Sequence, residues 1–153
     1  MPLPDSPSRG RTPAQLSALY QELILDHYRR PRNKGAVERP DGRAAARNPL
    51  CGDEVEVTLA LDGDVVREVR FTAQGCSISQ ASASMMTQLV AGKSVAEAAA
   101  LRRRVADLLA GDPGAAEDPV LGDLRALAGV AKFPVRHRCA LMGWEALGEA
   151  LRG

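Results

Sequence analysis

The chain has 153 residues, of which 45% are apolar and 25% are charged, as in an ordinary globular domain. A net charge of +1 and an aromatic content of 3% argue against a nucleic-acid-binding protein, because phosphates need a strongly basic face and bases stack on aromatic rings. No run of residues resembles a signal peptide or a membrane span, so we expect a cytoplasmic protein with no membrane partner.

The first part of the chain predicts a tail followed by a helix. Residues 1–11 are rich in Pro, Ser and Arg and have no periodic apolar face, so we expect them to be disordered. A single domain is expected over residues 12–153. Its first helix begins with Thr12 as the cap, and apolar residues then recur with helical spacing as far as His27. Pro31 is expected to end this helix.

The next segment predicts a β-hairpin. Apolar and polar residues alternate from Val55 to Leu61, and the pair Asp62–Gly63 is a signal for a type I′ turn. Arg67 interrupts the apolar face of the return strand, which indicates an edge strand. A further strand is indicated near residues 43–47. The return-strand residues predicted to share the buried face are Val65, Val69 and Phe71.

Four helices are predicted in the second half of the chain. One begins after Gly75 and ends at Gly92, and a capping box that begins at Ser94 opens the next. A short helix is predicted near residues 120–127, and the last helix begins near Cys139. The order of helix, hairpin and helices predicts an α+β fold, with a small antiparallel three-stranded sheet and helices packed on one face.

The three cysteines, Cys51, Cys76 and Cys139, are the candidate chemical groups. Their odd number argues against a disulfide framework. Each lies at the end of a loop, just before a predicted strand or helix. Cys76 and Cys139 precede helices, whose dipoles favour the thiolate, so low thiol pKa values are expected. Metal ligation or thiol chemistry is favoured, and buried inert cysteines are the alternative.

Asp53 completes a candidate ligand set. It follows Cys51 by two residues, with Gly52 between them. Three thiolates and one carboxylate suit tetrahedral Zn²⁺, with the carboxylate as the most replaceable ligand, although no C-x-x-C pair is present to indicate a zinc ribbon. His27, on the apolar side of the first predicted helix, is interpreted as a packing residue and not as a ligand.

Four segments of the chain, from about Leu19 to Leu151, together resemble the U-type iron–sulfur cluster assembly family (NifU N-terminal and IscU-like proteins), and within it the SufU branch. The segments are LILDHYRRPRNKG, NPLCGDEVEVTLALDGD, GCSISQASASMMTQLVAGK and FPVRHRCALMGWEAL. Matched position by position, the resemblance implies that the metal ligands are Cys51, Asp53, Cys76 and Cys139.

The resemblance also implies a function. A SufU-type protein is a zinc-dependent sulfurtransferase, in which the thiolate matching Cys51 accepts persulfide sulfur from a pyridoxal-phosphate cysteine desulfurase, SufS. The sulfur then passes to the Suf scaffold complex, SufBCD. The alternatives are an IscU-like scaffold on which an iron–sulfur cluster is assembled, and a structural zinc-binding interaction protein.

The residues before the last cysteine separate the two branches. Scaffold relatives have a histidine directly before that cysteine, whereas this chain has Arg138 there and His137 one position earlier. The long segment between Cys76 and Cys139 also resembles the SufU branch. Arg138 stands where SufU proteins commonly have lysine, and His137 is a competing candidate for the fourth ligand in place of Asp53.

Overall fold

The computed structural model describes residues 13–49 and 52–152; the predicted tail, the Thr12 cap and Cys51 lie outside the described residues. The described part is a three-stranded antiparallel sheet, with β2 between β1 and β3, and surrounding helices. The predicted α+β fold is confirmed. The elements are α1 Pro13–Arg29, β1 Gly42–Asn48, β2 Asp53–Asp62, β3 Val65–Gln74, α2 Ser77–Val90, α3 Val95–Leu109, α4 Pro113–Ala116, a 3₁₀ segment Pro119–Lys132 and α5 Pro134–Leu151.

One face of the sheet forms the floor of the core. Val55, Val57 and Leu59 alternate along β2 and are fully buried in the same cluster as side chains of α2 and α5. Each such side chain stabilises the fold by about 1.5–3 kcal/mol relative to an exposed position. None of the described helices has the length and apolar character needed to cross a bilayer.

The return strand differs from its predicted pattern. The β2–β3 register shifts between Ala60 and Leu61, because β3 has one extra residue, Arg67, at a β-bulge. The bulge reverses which side chains face the core, so Val66 is fully buried and Val65 is 36% exposed. The prediction that Val65 shares the buried face is therefore wrong, whereas the edge position of β3 is confirmed.

The hairpin turn is also of a different type from the predicted one. Asp62 pairs with Val65, so the two turn residues are Gly63 and Asp64. A type I′ turn needs positive φ at both, but only Gly63 has it, at 62°. Glycine at the first central position is the pattern of a type II′ turn. The hairpin is confirmed, and the type I′ assignment is wrong.

Two of the predicted helix starts have different outcomes. The capping box that begins at Ser94 is confirmed, since the Ser94 Oγ accepts from the backbone N–H of Glu97 at 3.0 Å and the Glu97 carboxylate accepts from that of Ser94. Helix α5, however, begins at Pro134, more than a full turn before Cys139. Proline is favoured at the first helical position, which explains the earlier start.

His27 joins three helical elements in the interior. Its ring is fully buried, with Nδ1 2.8 Å from Ser84 Oγ on α2 and Nε2 2.9 Å from Asp123 Oδ2 on the 3₁₀ segment. Because the Arg32 N–H also donates to Ser84 Oγ, at 2.9 Å, the network assigns the serine hydroxyl as donor to Nδ1 and Nε2–H as donor to Asp123. This agrees with its interpretation as a packing residue. The hydrogen bond from His27 holds the pKa of Asp123 below its ordinary value.

Replacing His27 by alanine is expected to lower the free energy of unfolding by about 2–4 kcal/mol, because it leaves a cavity and removes the acceptor of the Ser84 hydroxyl and the histidine donor to Asp123. Urea unfolding followed by Trp144 fluorescence measures this. The adjacent Tyr28→Ala, whose side chain is 42% exposed, is the control and should change stability by less than about 0.5 kcal/mol.

The hydrogen bond from His27 to Asp123 also predicts that the stability difference between wild type and His27→Ala depends on pH. The depressed pKa of Asp123 contributes stability above the ordinary carboxyl pKa of 3.8, and this contribution is lost as the pH falls through the lower folded value. The stability gap between wild type and His27→Ala should therefore be constant above about pH 5 and narrow as the pH falls below 3.8. A gap that stays constant would show that the hydrogen bond does not stabilise the carboxylate.

Candidate metal centre

Three of the predicted ligands meet where three elements come together. Asp53 is the first residue of β2, Cys76 is the N-cap of α2, and Cys139 lies in the second turn of α5. One ligand atom from each lies within 4.8 Å of the other two. Asp53 and Cys139 are buried and Cys76 is half-buried. Cys51, the fourth predicted ligand, is outside the described residues.

Asp53 and Cys76 are held together by a backbone hydrogen bond. The N–H of Cys76 donates to Asp53 Oδ1 at 3.2 Å. Gly75 makes this approach possible, because a Cβ added there would overlap the Asp53 carboxylate, and its φ of +129° is one that other residues rarely adopt. Sequence reasoning did not identify Gly75 as part of the site; a glycine directly before a candidate ligand was the available signal.

The Cys76 thiol has a hydroxyl neighbour. Its Sγ lies 3.7 Å from Ser79 Oγ, one turn along α2, and the same hydroxyl donates to the carbonyl oxygen of Cys76 at 3.0 Å. Ser79 is fully buried, so it fixes the first turn of the helix beneath the thiol. The backbone of Cys76 is therefore held at both ends, by Asp53 at its N–H and by Ser79 at its carbonyl oxygen.

Cys139 does not have the environment predicted for it. It lies inside α5 and not at the helix N-terminus, so the helix dipole does not favour its thiolate. Burial, which is the largest cause, together with the nearby Cys76 and Asp53, raises the pKa of the Cys139 thiol to about 12. The expected low pKa is therefore wrong for Cys139. A buried thiol of this kind keeps its proton at neutral pH unless a positive charge lies beside it.

The loop that contains Cys51 is closed at its base next to this group. Asn48, at the end of β1, pairs with Asp53, and the Gly52 N–H donates to the Asn48 carbonyl oxygen at 2.8 Å. Gly52 has a φ of +73°, which suits a tight return of the chain. The described ends of the loop thus lie beside one of the three clustered ligands.

The two residues before Cys139 have different roles in the structure. His137 is not part of the ligand group in the described part of the chain; its Nε2–H donates to the Ala131 carbonyl oxygen at 3.0 Å. Arg138 Nη2 donates to the Arg47 carbonyl oxygen at 3.0 Å, and so joins α5 to the strand that leads into the Cys51 loop. Sequence reasoning did not anticipate this cross-link.

The donor set fits a thiophilic divalent cation. Ligand atoms around a tetrahedral zinc ion, with Zn–S distances of about 2.3 Å, lie roughly 3.5–4 Å apart. The separations within 4.8 Å between Asp53, Cys76 and Cys139 need only small side-chain movements to reach this geometry. Two sulfurs and one carboxylate oxygen are a mixture that favours zinc over magnesium or calcium. Three protein ligands leave room for a fourth.

Comparison with known proteins identifies the family. Residues 19–151 match the NifU-like N-terminal domain, and the chain belongs to that family.

Two named relatives resemble this chain over most of its length. It is 45% identical over 136 residues to the zinc-dependent sulfurtransferase SufU of Bacillus subtilis, covering 88% of this chain and 90% of the relative. It is 40% identical over 141 residues to the iron-sulfur cluster assembly scaffold protein IscU of Streptococcus pyogenes, covering 91% of this chain and 86% of that protein. Relatives with both kinds of name thus resemble this chain.

Solved structures share the fold. A putative iron-sulfur cluster assembly scaffold protein for the SUF system from Fervidobacterium islandicum AW-1 superposes with a TM-score of 0.79 at 32% identity, covering 88% of this chain and 97% of the other. A NifU-like protein from Brucella abortus superposes with a TM-score of 0.80 at 26% identity, covering 90% and 94%. The sheet and helices described above are therefore those of the family.

Replacing Gly75 by alanine is expected to weaken zinc binding about ten- to a hundredfold, because the new Cβ displaces the Asp53 carboxylate from Cys76. Competition with a chromophoric chelator measures the affinity. The control is Gly63→Ala, which also changes a glycine of positive φ but meets no atom within 4 Å. Equal zinc affinities for the two variants would mean that the position of Asp53 does not matter for binding.

Proposed function

We infer that the protein works in iron–sulfur cluster assembly as an IscU/SufU-type protein, and we propose that it is a zinc-dependent sulfurtransferase. It accepts persulfide sulfur from a SufS-type, pyridoxal-phosphate cysteine desulfurase and passes it to the Suf scaffold complex, SufBCD. The observation that carries the proposal is the convergence of Asp53, Cys76 and Cys139 beside the loop of Cys51. The 45% identity to a relative named as a zinc-dependent sulfurtransferase supports it.

Cys51 is the proposed sulfur acceptor. Only Gly52 separates it from Asp53, so the two Cα atoms lie no more than about 7 Å apart. The described neighbours Pro49 and Gly52 are exposed, whereas Cys139 is only 5% exposed. A transfer between two proteins needs a thiol that the partner's persulfide can reach, and the exposed residues on either side of the loop support Cys51 over buried Cys139 in that role.

The transfer step is a thiol–disulfide type exchange. The Cys51 thiolate attacks the outer sulfur of the desulfurase persulfide, and a new S–S bond forms on Cys51. The S–S bond to the desulfurase breaks, and its cysteine leaves as a thiolate. No oxidant or reductant is consumed, because the oxidation level of the transferred sulfur is unchanged. The persulfide on Cys51 is the form that passes to the next acceptor.

A zinc ion at this centre would be held by Cys51, Asp53, Cys76 and Cys139. Its positive charge would keep the thiols deprotonated at neutral pH. Asp53 would be the weakest donor of the four, and its hydrogen bond from Cys76 keeps the carboxylate in place. Buried Cys139 remains a ligand and not an acceptor, since little of its side chain is open to a partner.

The start of α5 offers a docking surface for the sulfur donor. Val135 is 86% exposed and Phe133 is 62% exposed, and Val135 lies one helical turn before Cys139, on the same side of α5. Exposed apolar side chains of this size next to a reactive group are typical of a protein interaction site. They support a protein partner that delivers sulfur close to the metal centre.

Incubation of the protein with a SufS-type desulfurase and free cysteine is expected to place a persulfide on Cys51. Alkylation, digestion and mass spectrometry locate it. Cys51→Ser should lose the persulfide and at least about 90% of the stimulation of desulfuration, because its hydroxyl cannot accept sulfur.

Ser77→Ala, next to Cys76 at the start of α2, is the matched control and should behave as wild type. Full stimulation by Cys51→Ser, or a persulfide found chiefly on Cys76, would refute the acceptor role. Circular dichroism of each variant distinguishes this from a failure to fold.

A scaffold that assembles an iron–sulfur cluster is the second candidate, favoured by the scaffold names of the relatives from Streptococcus pyogenes and Fervidobacterium islandicum. The two functions differ after anaerobic incubation with iron and sulfide. We expect no stable visible chromophore under conditions in which the zinc form accepts persulfide. A stable brown protein whose absorption requires all three cysteines would support the scaffold function.

Removal of zinc by a chelator separates a functional from a structural metal. Persulfide formation is expected to fall at least about tenfold. The metal-free chain should still give a cooperative unfolding transition, because the hydrophobic core is built mainly from side chains other than the metal ligands. Restored activity on adding zinc back is the control. Unchanged persulfide formation in the metal-free folded protein would make the metal structural.

A further inference from the structure

Helices α3 and α5 leave an open groove between them that the metal centre does not use. It consists of two adjoining cavities of about 410 and 200 Å³, and both are lined by Arg102. Between the arginines its walls are mostly alanine and aliphatic side chains. The apolar residues that line it are Val95, Ala98, Ala99, Ala106, Leu141, Trp144, Leu147 and Leu151.

Three arginines line this groove. Arg102, Arg103 and Arg152 are exposed, and none makes an ion pair with another described residue. The adjacent Arg104, by contrast, lies within ion-pair distance of three aspartates, at 2.9, 3.0 and 3.4 Å. Among the described residues, Glu145 is the only acidic one that lines the groove. The groove therefore presents uncompensated positive charge around an apolar floor.

Gly148 allows one of these arginines to lie across the groove. A Cβ added at Gly148 would overlap the Arg102 guanidinium, so the side chain rests directly on the backbone of α5. The guanidinium stands where the two cavities adjoin. An acidic group on a ligand that lay along the groove would meet this charge near the middle of its length.

The groove faces away from the metal centre. Successive residues of an α-helix are rotated by about 100°, so Trp144 and Gly148 lie roughly 140° and 180° around α5 from Cys139. Both line the groove, whereas Cys139 belongs to the ligand group. A molecule in the groove would leave the ligand side of α5 uncovered.

We propose that this groove docks an acidic amphipathic helix of a partner protein. The apolar side of that helix packs on the alanine-rich floor, and its carboxylates pair with Arg102, Arg103 and Arg152. Two partners are then bound on opposite sides of α5 at the same time, one in the groove and one at the metal centre. This inference does not depend on the sulfurtransferase function.

Trp144 provides a built-in reporter. It is the only tryptophan of the chain, is fully buried and lines the larger cavity. Its Nε1–H has no hydrogen-bond acceptor among the described residues, which is unusual for a buried donor. An occupant of the groove changes the surroundings of this indole, and with them its emission.

The test uses the full chain and a defined probe. The probe is a capped, fluorescein-labelled helical peptide of glutamate, alanine and leucine, with its leucines at i, i+3, i+4 and i+7. A second peptide has the same composition with the leucines scrambled around the helix. Anisotropy and Trp144 emission measure binding, and the amphipathic peptide is expected to bind at least about tenfold more tightly.

Matched charge reversals locate the site. Arg103→Glu with Arg152→Glu should weaken binding of the amphipathic peptide at least about tenfold. Arg39→Glu with Arg67→Glu changes the net charge equally at exposed arginines outside the groove, and should weaken it less than about twofold. Zinc affinity should be the same in both double variants, since none of the four substitutions changes a proposed ligand.

Equal binding of the two peptides, or equal loss of binding in the two double variants, would overturn the proposal. Sedimentation velocity tests whether a second copy of this chain occupies the groove instead. If the wild type forms a dimer that Arg103→Glu with Arg152→Glu abolishes and the control does not, the groove binds a second copy of this chain, and the partner-helix proposal is wrong. A monomeric wild type that binds the amphipathic peptide supports it.

Discussion

The position of α5 across the sheet is the constraint on which the candidate site depends. The helix packs on β1 and β2, and it comes so close to both the sheet and α2 that glycines are needed at the contacts. A Cβ at Gly42 would overlap the carbonyl oxygen of Ala150, and one at Gly143 would lie 3.3 Å from Ala83. Ser82 adds a hydrogen bond of 2.6 Å to the Ala140 carbonyl oxygen, next to Cys139. These contacts fix where the last ligand lies relative to the other two.

The centre combines groups that repel one another when charged. A buried thiol, a half-buried thiol and a buried carboxylate lie within 4.8 Å, and the raised pKa of Cys139 expresses the cost of placing negative charge there. A cation offsets that cost and makes the same closeness favourable. The tight packing around Asp53 is therefore favourable when the proposed zinc ion is bound.

The two sides of α5 differ in chemistry. On one side, Cys139 faces the ligand group, and exposed Val135 lies a turn away. On the other side, the groove along α3 is apolar with an arginine rim. A single helix of this kind holds two surfaces at a fixed separation, an arrangement that the proposed transfer of sulfur between partners would use.

The sequence determined much of this protein. Helical and alternating periodicity predicted α1, the hairpin and the α+β class, because the apolar pattern fixes which face of an element is buried. The capping box at Ser94 is a local interaction and was correctly predicted for the same reason. The four candidate ligands, including Cys51, came from residue types and the family resemblance.

Only the tertiary structure decided the remaining features. The bulge at Arg67 and the resulting burial of Val66 arise from pairing between strands, which one strand's pattern does not contain. The environment of Cys139 depends on the earlier start of α5 and on burial against other elements. The approach of Asp53 to Cys76, 23 residues apart, likewise requires the folded chain. Local sequence specifies local geometry, whereas burial, thiol pKa and ligand convergence are set by contacts between distant segments.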